Sequence, residues 1–127
     1  MNDLFYLTSK KLTASDMVQT LIQTKLWETV NTYEDNVYVV LSSGSPLHFY
    51  ACDITSKDFD HSADQNFLSD KSIKTIFCLP FRSHDIREII DLISILMKEH
   101  SGYLGHDLDG FEPYFELNKL KNFYIAY

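Results

Sequence analysis

The tetrapeptide Asp107-Leu108-Asp109-Gly110 is the run in this chain that comes nearest to a catalytic motif. Two carboxylates one residue apart, ahead of a glycine, could serve phosphoryl transfer, the first as nucleophile and the second as acid/base. Phe111 stands where that chemistry wants a hydroxyl residue, and the 17 residues after Gly110 are too few for the fold it needs. The same four residues could open a calcium loop, but its twelfth position, which requires a bidentate Glu, is Asn118. The expected role is an acidic turn, in which Asp accepts local backbone N–H groups and Gly supplies a positive φ.

Other constellations are thinner. His48, His61, His84, His100 and His106 include no i, i+4 helical pair that would fix two imidazoles on one face. His100 and His106, with Asp107 and Asp109, are the best imaginable metal set, yet His100 is better placed as a favourable cation at a helix C-terminus. No metal or other cofactor is expected. Ser42, Ser43 and Ser45 lie in a turn without Gly-x-Ser-x-Gly. Cys52 and Cys78, 26 residues apart in apolar runs, read as reduced core thiols and not as activated thiolates. Neither Gly-x-Gly-x-x-Gly nor Gly-Lys-Ser/Thr occurs, so no phosphate-cradling loop is expected. The chain is therefore not expected to be an enzyme.

The elements that must position these residues follow from periodicity. Leu4–Leu7 is a short β-prone run. Thr13 and Asp16 form a capping-box-like start to a helix whose apolar positions, Ala14, Met17, Val18, Leu21 and Ile22, carry it to Trp27. Val37–Leu41 and Leu47–Cys52 flank Ser42-Ser43-Gly44-Ser45-Pro46 and predict a β-hairpin. Residues 53–70 predict a loop with a short helical turn around Phe67. Ser72–Leu79 alternates as a strand ended by Pro80. Ser83 predicts the cap of a second helix, striped by Ile86, Ile89, Ile90, Ile93, Leu96 and Met97 and closed by Gly102. Short strands at 103–106 and 111–115 and a final helical turn at 116–123 complete the reading. This order predicts one α+β domain spanning 1–127: a two-layer sandwich, mainly antiparallel, with two main helices on one face, loosely ferredoxin-like.

Composition narrows the partners. The chain has 127 residues, 18 acidic against 11 basic side chains and a formal net charge of −7. That balance argues against nucleic acid or an anionic membrane, both of which need clustered Lys/Arg. No apolar run approaches the roughly 18–20 residues of a membrane span, and the first residues lack a basic stretch leading into an apolar one. With two cysteines and no disulfide framework, the expected location is cytoplasmic. The acidity is local. Residues 53–70 hold Asp53, Asp58, Asp60, Asp64 and Asp70 against Lys57, and a second cluster comprises Asp107, Asp109, Glu112 and Glu116. A partner-recognition surface built on Asp58, Asp60, Asp64, Asp107, Asp109 and Glu112 is expected, with Phe59, Phe67, Phe111, Tyr114 and Phe115 as apolar anchors among the carboxylates.

The stretch Lys98-Glu99-His100-Ser101-Gly102-Tyr103-Leu104-Gly105-His106-Asp107-Leu108-Asp109-Gly110-Phe111-Glu112-Pro113, followed by Leu117-Asn118-Lys119-Leu120, resembles the end of small bacterial immunity proteins. Those proteins accompany toxins of contact-dependent or type VI secretion systems. Across about the last third of the chain, the resemblance implies a compact α+β sandwich that binds and neutralises a cognate toxin without catalysis of its own. It assigns no individual inhibitory residue. An acidic inhibitor suits a toxin with a basic, nucleic-acid-binding cleft. The alternative is a small-molecule-sensing or regulatory α+β domain whose sheet edges pair into dimers.

Overall fold

Two opposed stripes run along the first strand: Leu4 and Tyr6 face one way, Phe5 and Leu7 the other, and all four are buried. A strand of that kind has to be covered on both sides. The fold, a computed structural model described over residues 2–24, 27 and 29–123, supplies both covers. In chain order the elements are β1 (Asn2–Thr8), α1 (Ala14–Thr24), β2 (Thr29–Tyr33), β3 (Asn36–Val40), β4 (Pro46–Cys52), α2 (Ser62–Asp70), β5 (Thr75–Phe81), α3 (Ile86–His100) and β6 (Tyr103–His106). Short 3-10 turns occupy Lys57–Phe59, Ser83–Asp85, Asp109–Phe111 and Leu117–Asn122.

The six strands form one sheet in the order β2-β3-β4-β5-β1-β6, every neighbouring pair antiparallel. β5 and β6 flank β1 and are joined by α3, a split β-α-β of ferredoxin-like kind with a four-strand meander in place of a hairpin. Helices α1 and α3 pack on one face, where Met17, Leu21, Ile89, Ile93 and Leu96 meet Leu4, Tyr6, Val39, Phe49, Phe77 and Leu79. The predicted α+β sandwich with two main helices on one face is therefore present. To it the structure adds a smaller layer on the opposite face, where Phe59, Phe67, Leu68 and Phe111 cover Phe5, Leu7 and Ile76.

Local chemistry explains most element boundaries. The backbone N–H of Thr13 donates to Asp16 Oδ2 (2.9 Å) and that of Asp16 to Thr13 Oγ1 (3.2 Å), the reciprocal cap the sequence predicts. The described part of helix α1 reaches Thr24; residues 25 and 26 lie outside the described residues, and Trp27, the predicted end of the helix, is not helical. The polar stretch before Asn36 forms β2, which the sequence reading passes over. It is an edge strand whose Asn31, Thr32 and Tyr33 are exposed, so it shows no apolar alternation. The 53–70 segment contains a nine-residue helix, longer than the single turn predicted. β5 runs through Pro80 to Phe81; proline is tolerated because the β4 ladder stops at Tyr50 opposite Cys78, leaving β5 an edge beyond that point. Of the strand predicted at 111–115, only Phe115 pairs, in a bridge with Leu104, while Phe111 sits in a 3-10 turn at φ +61°.

Both ends of α3 are tied down. At its start, which falls at Ile86 after a 3-10 turn and not directly after Ser83, Glu88 accepts from Ser42 N (2.8 Å), Ser42 Oγ (2.7 Å) and Trp27 Nε1 (3.1 Å). Asp85 Oδ1 accepts from Ser43 Oγ (3.0 Å). At its end, the Tyr6 hydroxyl donates to the Ser101 carbonyl (2.7 Å) and Thr8 Oγ1 to the His100 carbonyl (3.0 Å). The chain then turns through Gly102 at φ +114°, where a Cβ would collide with the Leu7 carbonyl oxygen. Substituting Gly102→Ala should lower unfolding stability by about 2–3 kcal/mol, combining backbone strain with overpacking, as read by urea denaturation.

His100 joins the two helices, its Nε2 lying 2.7 Å from Thr20 Oγ1. Burial holds its pKa below the ordinary value near 6.5. The unfolded chain therefore takes up this proton at a higher pH than the folded one. Stability should be unaffected by this group above pH 7 and fall as the pH drops through 6.5 toward the folded value. Urea midpoints at pH 7.5 and 5.5 should accordingly differ less in His100→Gln than in the parent.

Candidate binding surface

The second layer brings the two acidic segments together. Phe67 is its hub, with ring centroids 5.2 Å from Phe111, 4.8 Å from Tyr114 and 5.6 Å from Tyr103. Phe5 of the sheet meets Phe59 at 5.8 Å and Phe111 at 5.5 Å, both edge to face. Phe59 and Phe111, which sit beside Asp58, Asp60, Asp109 and Glu112 in sequence, are themselves 5.8 Å apart. Edge-to-face pairs of this kind add about 0.5–1.5 kcal/mol each beyond the area they bury. Gly105 makes the approach possible, since a Cβ there would lie 2.9 Å from Phe111 Cβ.

Local hydrogen bonds shape the acidic segments. Ser56 caps the first 3-10 turn through Asp58 N (3.2 Å), and His61 caps α2, its Nδ1 accepting from Ala63 N (3.2 Å). Gln65 Nε2 donates to the Phe59 carbonyl (2.5 Å) and fastens the turn to the helix. Asp64 Oδ1 accepts the backbone N–H of Gly110 at 2.7 Å across 46 residues of sequence. Gly110 stands at φ +70°, as expected for an acidic turn. His61 Nε2 lies 3.7 Å from Asp109 Oδ2, a second contact between the segments.

Of the six carboxylates expected at a partner surface, Asp58, Asp60, Asp107, Asp109 and Glu112 are exposed and belong to this one layer. Asp64 is not part of that surface: it is 8% exposed and engaged by Gly110. The expected aromatic anchors are corrected in the same way. Phe59, Phe67 and Phe111 are buried under the carboxylates as their support, and only Tyr114 and Phe115 remain half-buried. Lys71 is nearby, its Nζ 5.5 Å from the Tyr103 ring centre and 5.7 Å from that of Tyr114.

The histidines and thiols are dispersed. His106 is buried, stacked on Phe123 at 5.3 Å, with Nδ1 2.5 Å from the Pro113 carbonyl, whereas His100 faces α1. Among the described residues no group of three or more His, Cys, Asp or Glu could hold a metal ion. Cys52 and Cys78 are free, half-buried neighbours on β4 and β5. Burial, with Asp3 adding to it, pushes the Cys78 thiol up to about 12, and burial raises Cys52 as well, so neither is a thiolate near neutrality.

One surface is absent from the sequence reading. The second layer stops at β4, and among the described residues no element packs over the far half of that sheet face. There Tyr33, Tyr38, His48 and Tyr50 form an aromatic cluster: His48 stacks on Tyr50 (5.2 Å, 8°) and lies within 5.8 Å of Tyr33 and 5.1 Å of Tyr38. The Tyr33 hydroxyl is 2.9 Å from His48 Nδ1. The signal was available, because Tyr38, His48 and Tyr50 alternate with the core residues Val37, Val39, Leu47 and Phe49 where polar side chains are usual. No family model, curated protein or solved structure matches this chain.

Asp64→Ala strands the buried Gly110 N–H and should cost about 1–3 kcal/mol in urea denaturation. Asp58→Ala and Asp60→Ala, at exposed positions, should each stay within about 0.5 kcal/mol of the parent.

Proposed function

We propose that this chain is a non-catalytic immunity protein that binds a cognate bacterial toxin in the cytoplasm and neutralises it, using the acidic layer as its docking face. The observation that carries the reading is the convergence of two acidic segments on one aromatic base. Asp58 and Asp60 come from one segment; Asp107, Asp109 and Glu112 come from the other. Carboxylates fixed to packed turns lose little freedom when a partner docks, which favours affinity as well as encounter rate. A basic cleft of the kind that binds nucleic acid is the complementary surface, and the layer then stands in for phosphates. The resemblance of residues 98–113 to immunity proteins points the same way, since that stretch supplies three of the five exposed acids.

Co-expression with the adjacent open reading frame is the test. The neighbour should arrest growth when expressed alone and should not do so together with this protein. Combined reversal of Asp58, Asp60, Asp107, Asp109 and Glu112 to Lys should abolish protection while the variant still folds. Association with the purified toxin should slow by about tenfold or more between 0.05 M and 0.5 M salt, as screening of a steered encounter requires. A harmless neighbour, or a toxic one this protein leaves active, refutes the reading.

A further inference from the structure

The β4–β5 ladder closes only at Tyr50–Cys52, and toward the start of β4 the two strands part around a cavity of about 240 Å³. Leu41, Leu47, Phe81 and Ile89 supply apolar walls, and the first turns of α3 close one side. Two polar groups at this cavity are unused. Among the described residues, the Arg82 guanidinium has neither ion pair nor hydrogen bond. The neighbouring carboxylate is not its counter-ion, because Asp85 is engaged by Ser43 Oγ at 3.0 Å and lies 3.5 Å from His84 Nε2. His48 also lines the cavity. Its Nδ1 is taken by the Tyr33 hydroxyl at 2.9 Å, and its Nε2 has no partner among the described residues.

We infer that this cavity is a binding site for a small carboxylate with a compact apolar body, held by Arg82 at the mouth and by the walls beneath. The chemistry selects the class. A guanidinium offers two parallel N–H donors that match a carboxylate, and the match gains strength where water is partly excluded. Apolar walls reward a hydrocarbon or aromatic body and penalise further uncompensated polar atoms. Arg82 is the one full cation at the cavity and Asp85, which also lines it, is an anion, so the site can match one carboxylate on the Arg82 side, whereas a phosphate dianion would retain unmatched charge. The volume lies below the roughly 300–1,000 Å³ of drug-sized sites, so the ligand is small. The site shares no residue with the acidic layer and stands or falls independently of the immunity reading.

Titration of the 15N-labelled 127-residue chain with phenylacetate, followed by amide chemical shifts, tests the inference. Saturable shifts are expected at Leu47, His48, Phe81, Arg82 and Ile89, with the acidic layer unaffected. Phenylacetamide, which keeps the body and lacks the charge, should bind about tenfold or more weakly, equivalent to about 1.4 kcal/mol or more. Arg82→Ala should weaken phenylacetate to the same extent while the rest of the spectrum is retained, since Arg82 is exposed and has no partner among the described residues. The inference is overturned if phenylacetate and 4-methylpentanoate both give no saturable shifts, if the shifts fall elsewhere, or if the amide binds as well as the acid. The comparison of acid with amide decides the matter on the parent protein even if the variant does not fold.

Discussion

The two-sided burial of β1 and β5 governs this structure. Leu4, Tyr6, Phe77 and Leu79 need cover on one side, and Phe5, Leu7 and Ile76 need it on the other. Helices α1 and α3 meet the first demand with long apolar stripes. The second is met by a segment carrying five aspartates, which contributes only Phe59, Phe67 and Leu68 as buried apolar side chains from its 3-10 turn and α2. A layer so poor in apolar residues holds because those few are large and meet Phe111 from another part of the chain. Its acids other than Asp64 stay in water, while its aromatics take the place of an ordinary helix stripe.

That division explains which parts were legible in sequence. Reciprocal capping by Thr13 and Asp16, the β3–β4 hairpin and the stripe of α3 all arise within a few residues of one another, so local pattern suffices. Helix α2 has a weak pattern because its fold-determining contacts are long-range: Phe67 with Phe111, and Asp64 with the Gly110 amide. A carboxylate whose partner is a backbone N–H 46 residues away looks, in sequence, like any other surface acid. Thus five of six expected surface carboxylates are exposed, and the sixth is the latch that brings the two acidic segments together. Strand β2 escaped for the opposite reason. At the edge of the sheet it buries so little that no alternation was required of it.

The −7 charge has a spatial meaning that composition alone lacks. Five of its exposed carboxylates, Asp58, Asp60, Asp107, Asp109 and Glu112, collect over the β5-β1-β6 half of one sheet face, on turns held by the aromatic base, while Asp16, Asp91 and Glu99 lie on the helices and Glu34 and Asp35 in the β2–β3 turn. On the β2-β3-β4 half of the same face three tyrosines and a histidine cluster, with Arg82, unpaired among the described residues, near the border. Two surfaces of different chemistry therefore share one sheet. An acidic surface favours rapid encounter with a basic partner, whereas neutral aromatics with an arginine favour contacts that exclude water.

The border between them has a structural cause. Past Cys78, β5 continues through Pro80, which has no N–H to offer a neighbour, and β4 begins at Pro46. With the ladder unmade there, β4 follows β3, to which it pairs from Pro46 to Phe49, while β5 follows β1 as far as Asn2. The strands separate because each is better bonded on its outer side. The Glu88 contacts to Ser42 and Trp27 and the Asp85 contact to Ser43 then hold the β3–β4 turn against the start of α3. The gap is thereby bounded at one end by the Tyr50–Cys52 ladder and at the other by these contacts, and the cavity occupies the space between.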